Sequence, residues 1–491
     1  MDTRIVGGAH PRAKPLVACL CAALALGTSV VATPAFAGTS RGAREHALAH
    51  RFASDDPLAA RVASILATRP PPRPGGAAIP VTNCNDGGSG SLRDAVENVA
   101  VSGDTVDMTG LSCSTITLTS GAIVASMDDL TIIGPGADMY GVTIDANHAS
   151  EVFLHVGTGT LRLKYMTALN GGKYTSGDAD ALGGCIYSTG QVDLLDSGVK
   201  YCVAEAQGTG GARGGGVYAT LGLSASVATI GGNSARGGYA AGGGVFARNL
   251  VSTYSWFRNN EAGSTGGAIM AIAEASVNTS TISGNSASLV GGIHLLGYGA
   301  TKPLEISQST ITDNYSADPR FGAGVRLGSA AVISNSTITG NVARGSAKYG
   351  AGIQIGPSAS LTLHSTIVSG NTLYDGTTHL PDDIGIYGAG IVSGGAGNLV
   401  GYAPEVLEIP PDTIFTSDPG LGGLLQNGGP TPTMLPLAGS LAIDNGHNIY
   451  SRSFDQRGPG YPRVLGAFTD VGAVESTEDP GNDVIFANGF D

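Results

Sequence analysis

The chain has 491 residues, of which 77 are glycine and only 13% are charged, and its formal net charge is −13. An acidic chain does not suit the phosphate backbone of nucleic acids or anionic membrane surfaces, so neither partner is expected.

The first 37 residues have the three parts of a secretory signal peptide. Basic residues open the chain, residues 16–32 are apolar, and Ala35-Phe36-Ala37 forms an A-x-A cleavage site. No later apolar stretch is long enough to span a bilayer, so no transmembrane segment is expected in the mature chain. The sequence predicts an extracytoplasmic protein that is secreted or held at the cell surface.

Residues 38–80 differ in composition from the rest and are predicted to be a flexible leader that ends in the stiff linker RPPPRPGG. After it, Ser91-Leu92-Arg93-Asp94 resembles a capping box in which Asp replaces the usual Glu. We therefore expect a short capping helix over 91–100, before the β-rich part of the chain.

From residue 104 onwards, short runs rich in Thr, Val and Ile alternate with Gly, Asp and Asn turns, as β-strands do. Seven glycine clusters are each followed by an apolar residue, at spacings of 24 to 32 positions: Ile186, Val217, Val245, Ile269, Ile293, Val325 and Ile353. Each phrase closes 15 to 21 positions later, at Cys202, Asn233, Asn260, Asn285, Asn314, Asn341 and Asn371. Such a repeat of strands and turns predicts that each phrase is one coil of a solenoid.

The predicted fold class is all-β, a right-handed parallel β-helix over 81–401 with a short N-terminal capping helix. The hand follows from the preference for right-handed parallel connections. Strands one coil apart would pair about 4.8 Å from each other, and the recurring Asn would stack its side-chain amides at one turn. The alternative, an all-β sandwich or barrel, does not predict a recurring phrase of this length.

Four cysteines remain after signal cleavage, and an even number in an exported protein favours two disulfides. By proximity in sequence we expect Cys84–Cys113 and Cys185–Cys202; the alternative is four buried thiols. No C-x-x-C is present and no Cys/His cluster has metal-ligand spacing, so neither a metal nor another cofactor is expected.

The C-terminal part resembles a known family. "LGGLLQNGGPTPTMLPLAGSLAIDNG" (421–446) and "DQRGPGYPRVLGAFTDVGAVE" (455–475) are similar to the choice-of-anchor Q domain of exported right-handed β-helix proteins, although GAVE replaces the usual GAFE. The phrase GGAI at 266–269 resembles the repeats of polymorphic outer-membrane proteins. The resemblance implies a choice-of-anchor Q-like region over 402–477 and a C-terminal tail over 478–491. The resemblance indicates the fold and export of the protein rather than a particular enzymatic activity.

Polysaccharide lyases and hydrolases are common in this fold, and glycoside hydrolysis needs two carboxylates that face one bond. The adjacent pairs Asp128-Asp129 and Asp382-Asp383 lie in turn-like sequence, where solvated turns are expected, and catalytic residues stay unknown. Arg457 and Arg463 belong to the choice-of-anchor Q motif and are expected to be structural.

One set of residues emerges from strand alternation. If the apolar residue of each phrase points inward, its successor points outward and stacks with its counterparts in one column. The column consists of Tyr187, Tyr218, Phe246, Met270, His294, Arg326 and Gln354. Aromatic rings with His and Arg favour a ligand-binding platform for a polysaccharide or cell-surface glycan. The alternative is that loops 203–213 and 234–241 cover this face.

The sequence therefore predicts an exported cell-surface or extracellular β-helix protein, adhesin-like or carbohydrate-binding. One alternative is a polysaccharide lyase or glycosidase that acts on extracellular polysaccharide through the same column. Another is a passive structural passenger domain.

Overall fold

A computed structural model describes residues 75–136, 141–318 and 320–477. The expected signal peptide (1–37), most of the leader (38–80) and the tail (478–491) lie outside the described residues. Within the described ranges, no helix is long and apolar enough to cross a membrane.

The described chain is an all-β parallel solenoid, as predicted, with strands β1–β44 arranged in four sheets. The 20-stranded sheet contains β1 (Ala78–Pro80), β2 (Asp104–Asp107), β4 (Ile123–Ala125), β5 (Leu130–Ile133), β7 (Phe153–His155), β8 (Thr160–Lys164), β12 (Ile186–Ser188), β13 (Gln191–Leu195), β17 (Val217–Ser226), β21 (Val245–Thr253), β24 (Ile269–Ala271), β25 (Ala275–Asn278), β28 (Ile293–Leu295), β29 (Leu304–Ser307), β32 (Val325–Leu327), β33 (Ala331–Ser334), β36 (Ile353–Ile355), β37 (Ser360–His364), β41 (Ile384–Ile386) and β42 (Ile391–Ala396).

The 12-stranded sheet contains β3 (Thr115–Thr117), β6 (Val142–Asp145), β9 (Met166–Leu169), β14 (Gly198–Lys200), β18 (Thr229–Gly231), β22 (Trp256–Arg258), β26 (Thr281–Ser283), β30 (Thr310–Thr312), β34 (Thr337–Thr339), β38 (Ile367–Val368), β43 (Leu399–Val400) and β44 (Ile414–Phe415). The 9-stranded sheet contains β10 (Gly172–Gly177), β15 (Val203–Gly208), β19 (Ser234–Arg236), β23 (Glu261–Ala262), β27 (Ser286–Ala287), β31 (Tyr315–Ser316), β35 (Val342–Arg344), β39 (Thr372–Tyr374) and β40 (His379–Pro381). The 3-stranded sheet contains β11 (Ala181–Leu182), β16 (Gly211–Arg213) and β20 (Tyr239–Ala241).

The register read from the repeat is confirmed. Ile186 pairs with Val217, and the series continues through Val245, Ile269, Ile293 and Val325 to Ile353, each strand parallel to the next. All seven apolar residues are fully buried and line one continuous core. The right-handed connection stays a prediction from the general preference.

The two ends of the expected β-helix extend beyond 81 and 401. Strand β1 begins at Ala78 and pairs with β2, so the solenoid takes in residues that were assigned to the leader. Strand β44 adds a further rung at Ile414–Phe415, beyond residue 401.

The N-terminal end of the core is closed by the predicted short helix. It has one α-helical segment, α1 (Leu92–Asp94), followed by a π-helical turn over Ala95–Val99. Ser91 Oγ accepts a hydrogen bond from the Asp94 N–H at 3.1 Å, while Asp94 Oδ2 accepts from Gly90 rather than from the Ser91 N–H of a regular capping box.

The recurring Asn forms the predicted amide ladder. Each side-chain N–H donates to the Oδ1 of the next Asn at 2.7–2.9 Å, in the order Asn233, Asn260, Asn285, Asn314, Asn341 and Asn371. The residue before each of these Asn has positive φ, for example +66° at Gly284, so that the chain turns the corner there. All six Asn are buried, and their polar groups are satisfied inside the turn.

A second ladder, which was not predicted, stands at the other end of the 12-stranded sheet's strands. Backbone N–H groups donate to the hydroxyl oxygen one coil later, linking Ser255, Ser280, Ser309, Ser336 and Thr366. The phrase Ser280-Thr-Ile-Ser-Gly-Asn285 therefore specifies one complete strand with a polar ladder at each end. The sequence signal was the recurring Ser five positions before the Asn.

Both expected disulfides are formed, Cys84–Cys113 and Cys185–Cys202. Cys185 ends a glycine cluster, and Cys202 occupies the ladder position one coil before Asn233, whose Oδ1 accepts from the Cys202 N–H. The Cys185–Cys202 disulfide therefore lies at the N-terminal end of the amide ladder.

After strand β44 the chain runs back along the outer face of the 12-stranded sheet, where residues 431–473 contact it. The side chain of Gln456 bonds to Thr310 and Thr281 at 2.6 and 2.8 Å, and Ala473 N–H donates to Thr337 Oγ1 at 3.0 Å. A Cβ at Gly472 would lie 2.8 Å from Ile367 Cδ1 and from Thr337 Oγ1, so the motif's glycine permits this close approach. This segment therefore covers the outward threonines of several coils.

Candidate functional site

The outward column forms in the predicted register on the 20-stranded sheet. Tyr187 pairs with Tyr218, and Phe246, Met270, His294, Arg326 and Gln354 follow one coil apart. Parallel pairing places successive side chains about 4.8 Å apart. The sequence pattern therefore located a real column of neighbouring side chains.

The three aromatic rings of the column stack on one another. The ring centroids of Tyr187 and Tyr218 are 5.6 Å apart with planes inclined by 5°, and those of Tyr218 and Phe246 are 5.4 Å apart at 11°. Because the faces of Tyr218 meet its two neighbours, the middle ring presents its edge outward. The part of this stack that is open to solvent is therefore the edges of the rings rather than their faces.

The column is only partly open to solvent. Tyr187, Met270 and Gln354 are buried, with 8%, 2% and 0% of their surfaces exposed, whereas Tyr218, Phe246, His294 and Arg326 are half-buried. All seven residues were expected to face a ligand, but only these four have a substantial part of their surface exposed to solvent.

The segments that were expected to be loops over the column cover part of it. Residues 203–213 and 234–241 instead form strands β15, β16, β19 and β20 for much of their length. Arg213, at the end of β16, places its guanidinium 6.0 Å from the Phe246 ring centroid and forms an ion pair of 2.6 Å with Asp180. This ion pair stands at the edge of the aromatic stack.

His294 and Arg326 are adjacent in the column, but they do not form an acid–base pair. His294 Nδ1 lies 2.8 Å from Thr265 Oγ1. Burial, with the nearby Arg326 charge, lowers the pKa of His294 to about 3. The imidazole is therefore neutral at physiological pH and a weak base.

Arg326 and Gln354 end the column in an aromatic setting. The Arg326 guanidinium lies 4.5 Å from the Phe321 ring centroid and 5.6 Å from that of Tyr387. Its Nη1 is buried without a hydrogen-bond partner, and Gln354 Nε2 donates to the Arg320 carbonyl at 3.0 Å. A guanidinium held by rings in this way is a suitable donor to sugar hydroxyl or carboxylate oxygens.

The two Asp pairs differ from each other. Asp128 and Asp129 accept hydrogen bonds from the backbone N–H groups of Thr158 and Thr160 at a partly exposed turn. The expectation of a solvated turn is wrong for Asp382 and Asp383, which are 1% and 0% exposed. Asp382 accepts from the N–H groups of Gly350 and Ala351, and Asp383 accepts from Asn371, so both carboxylates are part of the core's polar structure.

The arginines of the C-terminal motif are structural, as expected. Arg457 pairs with Asp455 at 2.6 Å and donates to the Glu475 carbonyl at 2.7 Å, and Arg463, fully buried, donates to the Asp470 carbonyl. This network holds the C-terminal segment together rather than facing solvent. Among the described residues no group of three or more His, Cys, Asp or Glu side chains is placed to hold a metal ion.

No family model, curated protein or solved structure matches this chain. The likeness to the choice-of-anchor Q domain and to outer-membrane-protein repeats therefore rests on the quoted sequence motifs alone.

Proposed function

We propose that this chain is an exported β-solenoid that acts at the cell surface or outside the cell and binds polysaccharide or cell-surface glycan in an adhesin-like manner. The parallel solenoid and the two disulfides are compatible with an extracytoplasmic protein. The motif likeness supports export, with residues 402–477 as a choice-of-anchor Q-like region.

The observation that carries this proposal is the line of half-exposed side chains on one rigid face. Tyr218, Phe246, His294 and Arg326 lie on four of five consecutive coils, and buried Met270 separates the two pairs. The aromatic edges provide apolar contact, while the imidazole and guanidinium provide hydrogen bonds to sugar oxygens. A linear polymer matches such a row better than a compact small molecule does.

The column gives less support to the alternative function, that of a polysaccharide lyase or glycosidase. None of its seven residues carries a carboxylate, whereas a glycosidase uses a pair of carboxylates, one on each side of the scissile bond. The low pKa of His294 makes the imidazole a poor general base near neutral pH. Binding is therefore the better-supported function of this face.

Retention on immobilised polysaccharides, neutral and acidic, tests the proposal. We expect the parent protein to be retained on at least one polymer, and Arg326→Gln and Phe246→Ala to be retained less. Arg344→Gln, which removes an exposed guanidinium from the 9-stranded sheet, is the matched control. Absorbance of unsaturated sugar products in the same samples would favour a lyase instead. Absence of retention on every polymer would favour the passive passenger.

A further inference from the structure

The guanidinium of Arg326 has no polar partner among the described residues. It forms no ion pair and no hydrogen bond with them, and its Nη1 atom is buried without a partner, although the side chain as a whole is half-exposed. Asp318, the acidic residue nearest to it in sequence, pairs instead with Arg320 at 2.9 Å. The charge of Arg326 is therefore not balanced by a carboxylate of the described chain.

The neighbours of Arg326 in the column are neutral. His294 lies one coil before it and Gln354 one coil after it. The pKa of His294 is lowered to about 3, so the imidazole carries no charge at neutral pH. Gln354 is fully buried, and its amide is held by the hydrogen bond to the Arg320 carbonyl. Arg326 is thus the one charged side chain of the column, and an anion bound there would meet no competing carboxylate in that row.

Aromatic rings from successive coils position the guanidinium. Its carbon lies 4.5 Å from the Phe321 ring centroid and 5.6 Å from that of Tyr387, and these two rings are 6.3 Å apart with planes inclined by 19°. Tyr349 meets Tyr387 edge-on at 6.0 Å. Ring faces attract the cation but accept no conventional hydrogen bonds, so the N–H donors stay available for an oxygen ligand. The sequence signal was an aromatic residue directly before Gly-Ala-Gly in two successive phrases, at Phe321 and Tyr349.

Binding of an anion would stabilise this arrangement. Burial disfavours the charge of Arg326 and lowers its pKa, but a guanidinium stays protonated at neutral pH. A partly buried charge without a hydrogen-bonded partner is unfavourable, and an anion that accepts from its N–H groups offsets part of that cost. A carboxylate is planar, as the guanidinium is, and accepts two parallel N–H bonds from it. The environment of Arg326 therefore favours a carboxylate ligand.

We infer that Arg326 recognises the carboxylate of a uronic acid unit, and that the polymer bound by the column is an acidic polysaccharide. This inference rests on the proposed function, because the same column holds the polymer. Tyr387, of which 39% is exposed, offers apolar surface beside the guanidinium for the sugar ring. Phe246 lies three coils away, or about 14 Å along the column, and would contact sugar units whose charge does not matter there.

Isothermal titration calorimetry at constant ionic strength tests the inference with oligomers of galacturonate and of glucuronate, each compared with its methyl ester. The ester keeps the sugar rings and their linkage but removes the negative charge. We expect the parent protein to bind at least one free acid at least about tenfold more tightly than the matching ester, because only the acid forms charge-assisted hydrogen bonds with Arg326.

Three variants separate recognition of the carboxylate from general contact with the polymer. Arg326→Gln should raise the Kd for the free acid at least about tenfold and that for the ester less than about twofold. Phe246→Ala should raise both Kd values by the same factor. Arg344→Gln, at an exposed arginine of the 9-stranded sheet, is the matched control and should change neither. Far-ultraviolet circular dichroism checks that each variant keeps its fold.

The outcomes distinguish this inference from the proposed function. If the parent binds acid and ester equally well and Phe246→Ala weakens both, the inference is overturned while glycan binding by the column stands. If neither acid binds, the inference is overturned, and retention on neutral polysaccharides decides the proposed function separately. Titration with dextran sulfate tests for a general attraction of anions. The inference is also overturned if Arg344→Gln weakens the binding of acids and of dextran sulfate as much as Arg326→Gln does.

Discussion

The side-chain amide of Asn371 donates a hydrogen bond of 2.8 Å to Oδ1 of Asp383, and the backbone N–H of Asn371 donates to the same oxygen at 2.7 Å. The amide ladder that begins at Asn233 therefore ends on a buried carboxylate. Burial, reinforced by the charge of Asp382, raises the pKa of Asp383 to about 7, although the bonds from Asn371 oppose this shift. The last rung of the ladder is thus titratable near neutral pH.

Replacing this carboxylate by its amide should change how stability depends on pH. The folded-state pKa of Asp383 is above its unfolded value of 3.8, so its contribution to stability is present below pH 3.8 and is lost as the pH rises through about 7. Asn does not titrate. We therefore expect the stability of Asp383→Asn relative to the parent to increase between pH 4 and 7, by more than about 1.4 kcal/mol.

Urea unfolding of both proteins at several pH values between 4 and 8 measures this difference. Asp418→Asn, at an exposed turn, is the matched control for the chemical change. A difference between Asp383→Asn and the parent that stays constant over this range would contradict the prediction.

Removing an interior rung should destabilise the solenoid. Asn285 donates to Asn314 Oδ1 at 2.9 Å and to the Phe257 carbonyl at 3.0 Å, and its own Oδ1 accepts from Asn260. Asn285→Ala leaves these buried groups unpaired, so we expect the free energy of unfolding to fall by about 1–3 kcal/mol. Ser346→Ala, at an exposed side chain, should change it by less than about 0.5 kcal/mol. Equal melting temperatures for Asn285→Ala and the parent would refute the structural importance of the ladder.

Tyr218 should contribute to stability as well as to any ligand contact. Its ring stacks on both Tyr187 and Phe246, and an aromatic pair contributes about 0.5–1.5 kcal/mol beyond its buried area. Tyr218→Ala should therefore lower the melting temperature measurably, whereas Tyr218→Phe, which keeps the ring, should retain most of it. A Tyr218→Ala protein as stable as the parent would show that the stack is not stabilising.

His294 should remain neutral in acid. Its folded-state pKa is lowered to about 3, below the ordinary 6.5, so its contribution to stability is present above pH 6.5 and is lost as the pH falls towards 3. Nuclear magnetic resonance titration of the imidazole should show no protonation at pH 5. His294→Gln should correspondingly reduce the loss of stability between pH 6.5 and 4. An imidazole that titrates near pH 6.5 would contradict this prediction and reopen a proton-transfer role.

Reduction should weaken the first coils. The Cys185–Cys202 and Cys84–Cys113 disulfides close loops of 17 and 29 residues, and loops of this length are expected to contribute roughly 3 kcal/mol each. Unfolding with and without dithiothreitol measures the loss, and non-reducing peptide mapping checks the pairing. Free thiols or crossed pairs in the peptide map would overturn the assignment.

The repeat in the sequence was sufficient to predict the solenoid, its register and its amide ladder. Each coil must bury its apolar face against the next coil. Positions such as Ile269 and Asn285 therefore recur in every coil, although the lengths of the intervening loops differ. Strand alternation likewise placed Tyr218 and Phe246 side by side, because the period of two is a property of the strand itself.

What the repeat could not predict depends on contacts between segments far apart in sequence. The stacking of the ring faces, the burial of Met270 and the ion pair of Arg213 at the stack's edge follow from how neighbouring coils and sheets meet. The carboxylate of Asp383 resembles a solvated turn residue in sequence, but it is buried because it takes the position after the last Asn of the ladder. The local sequence determines where each strand forms and which of its side chains alternate between the two faces. The burial of a side chain and its distance from other charged groups depend on which coils lie next to each other in the tertiary structure.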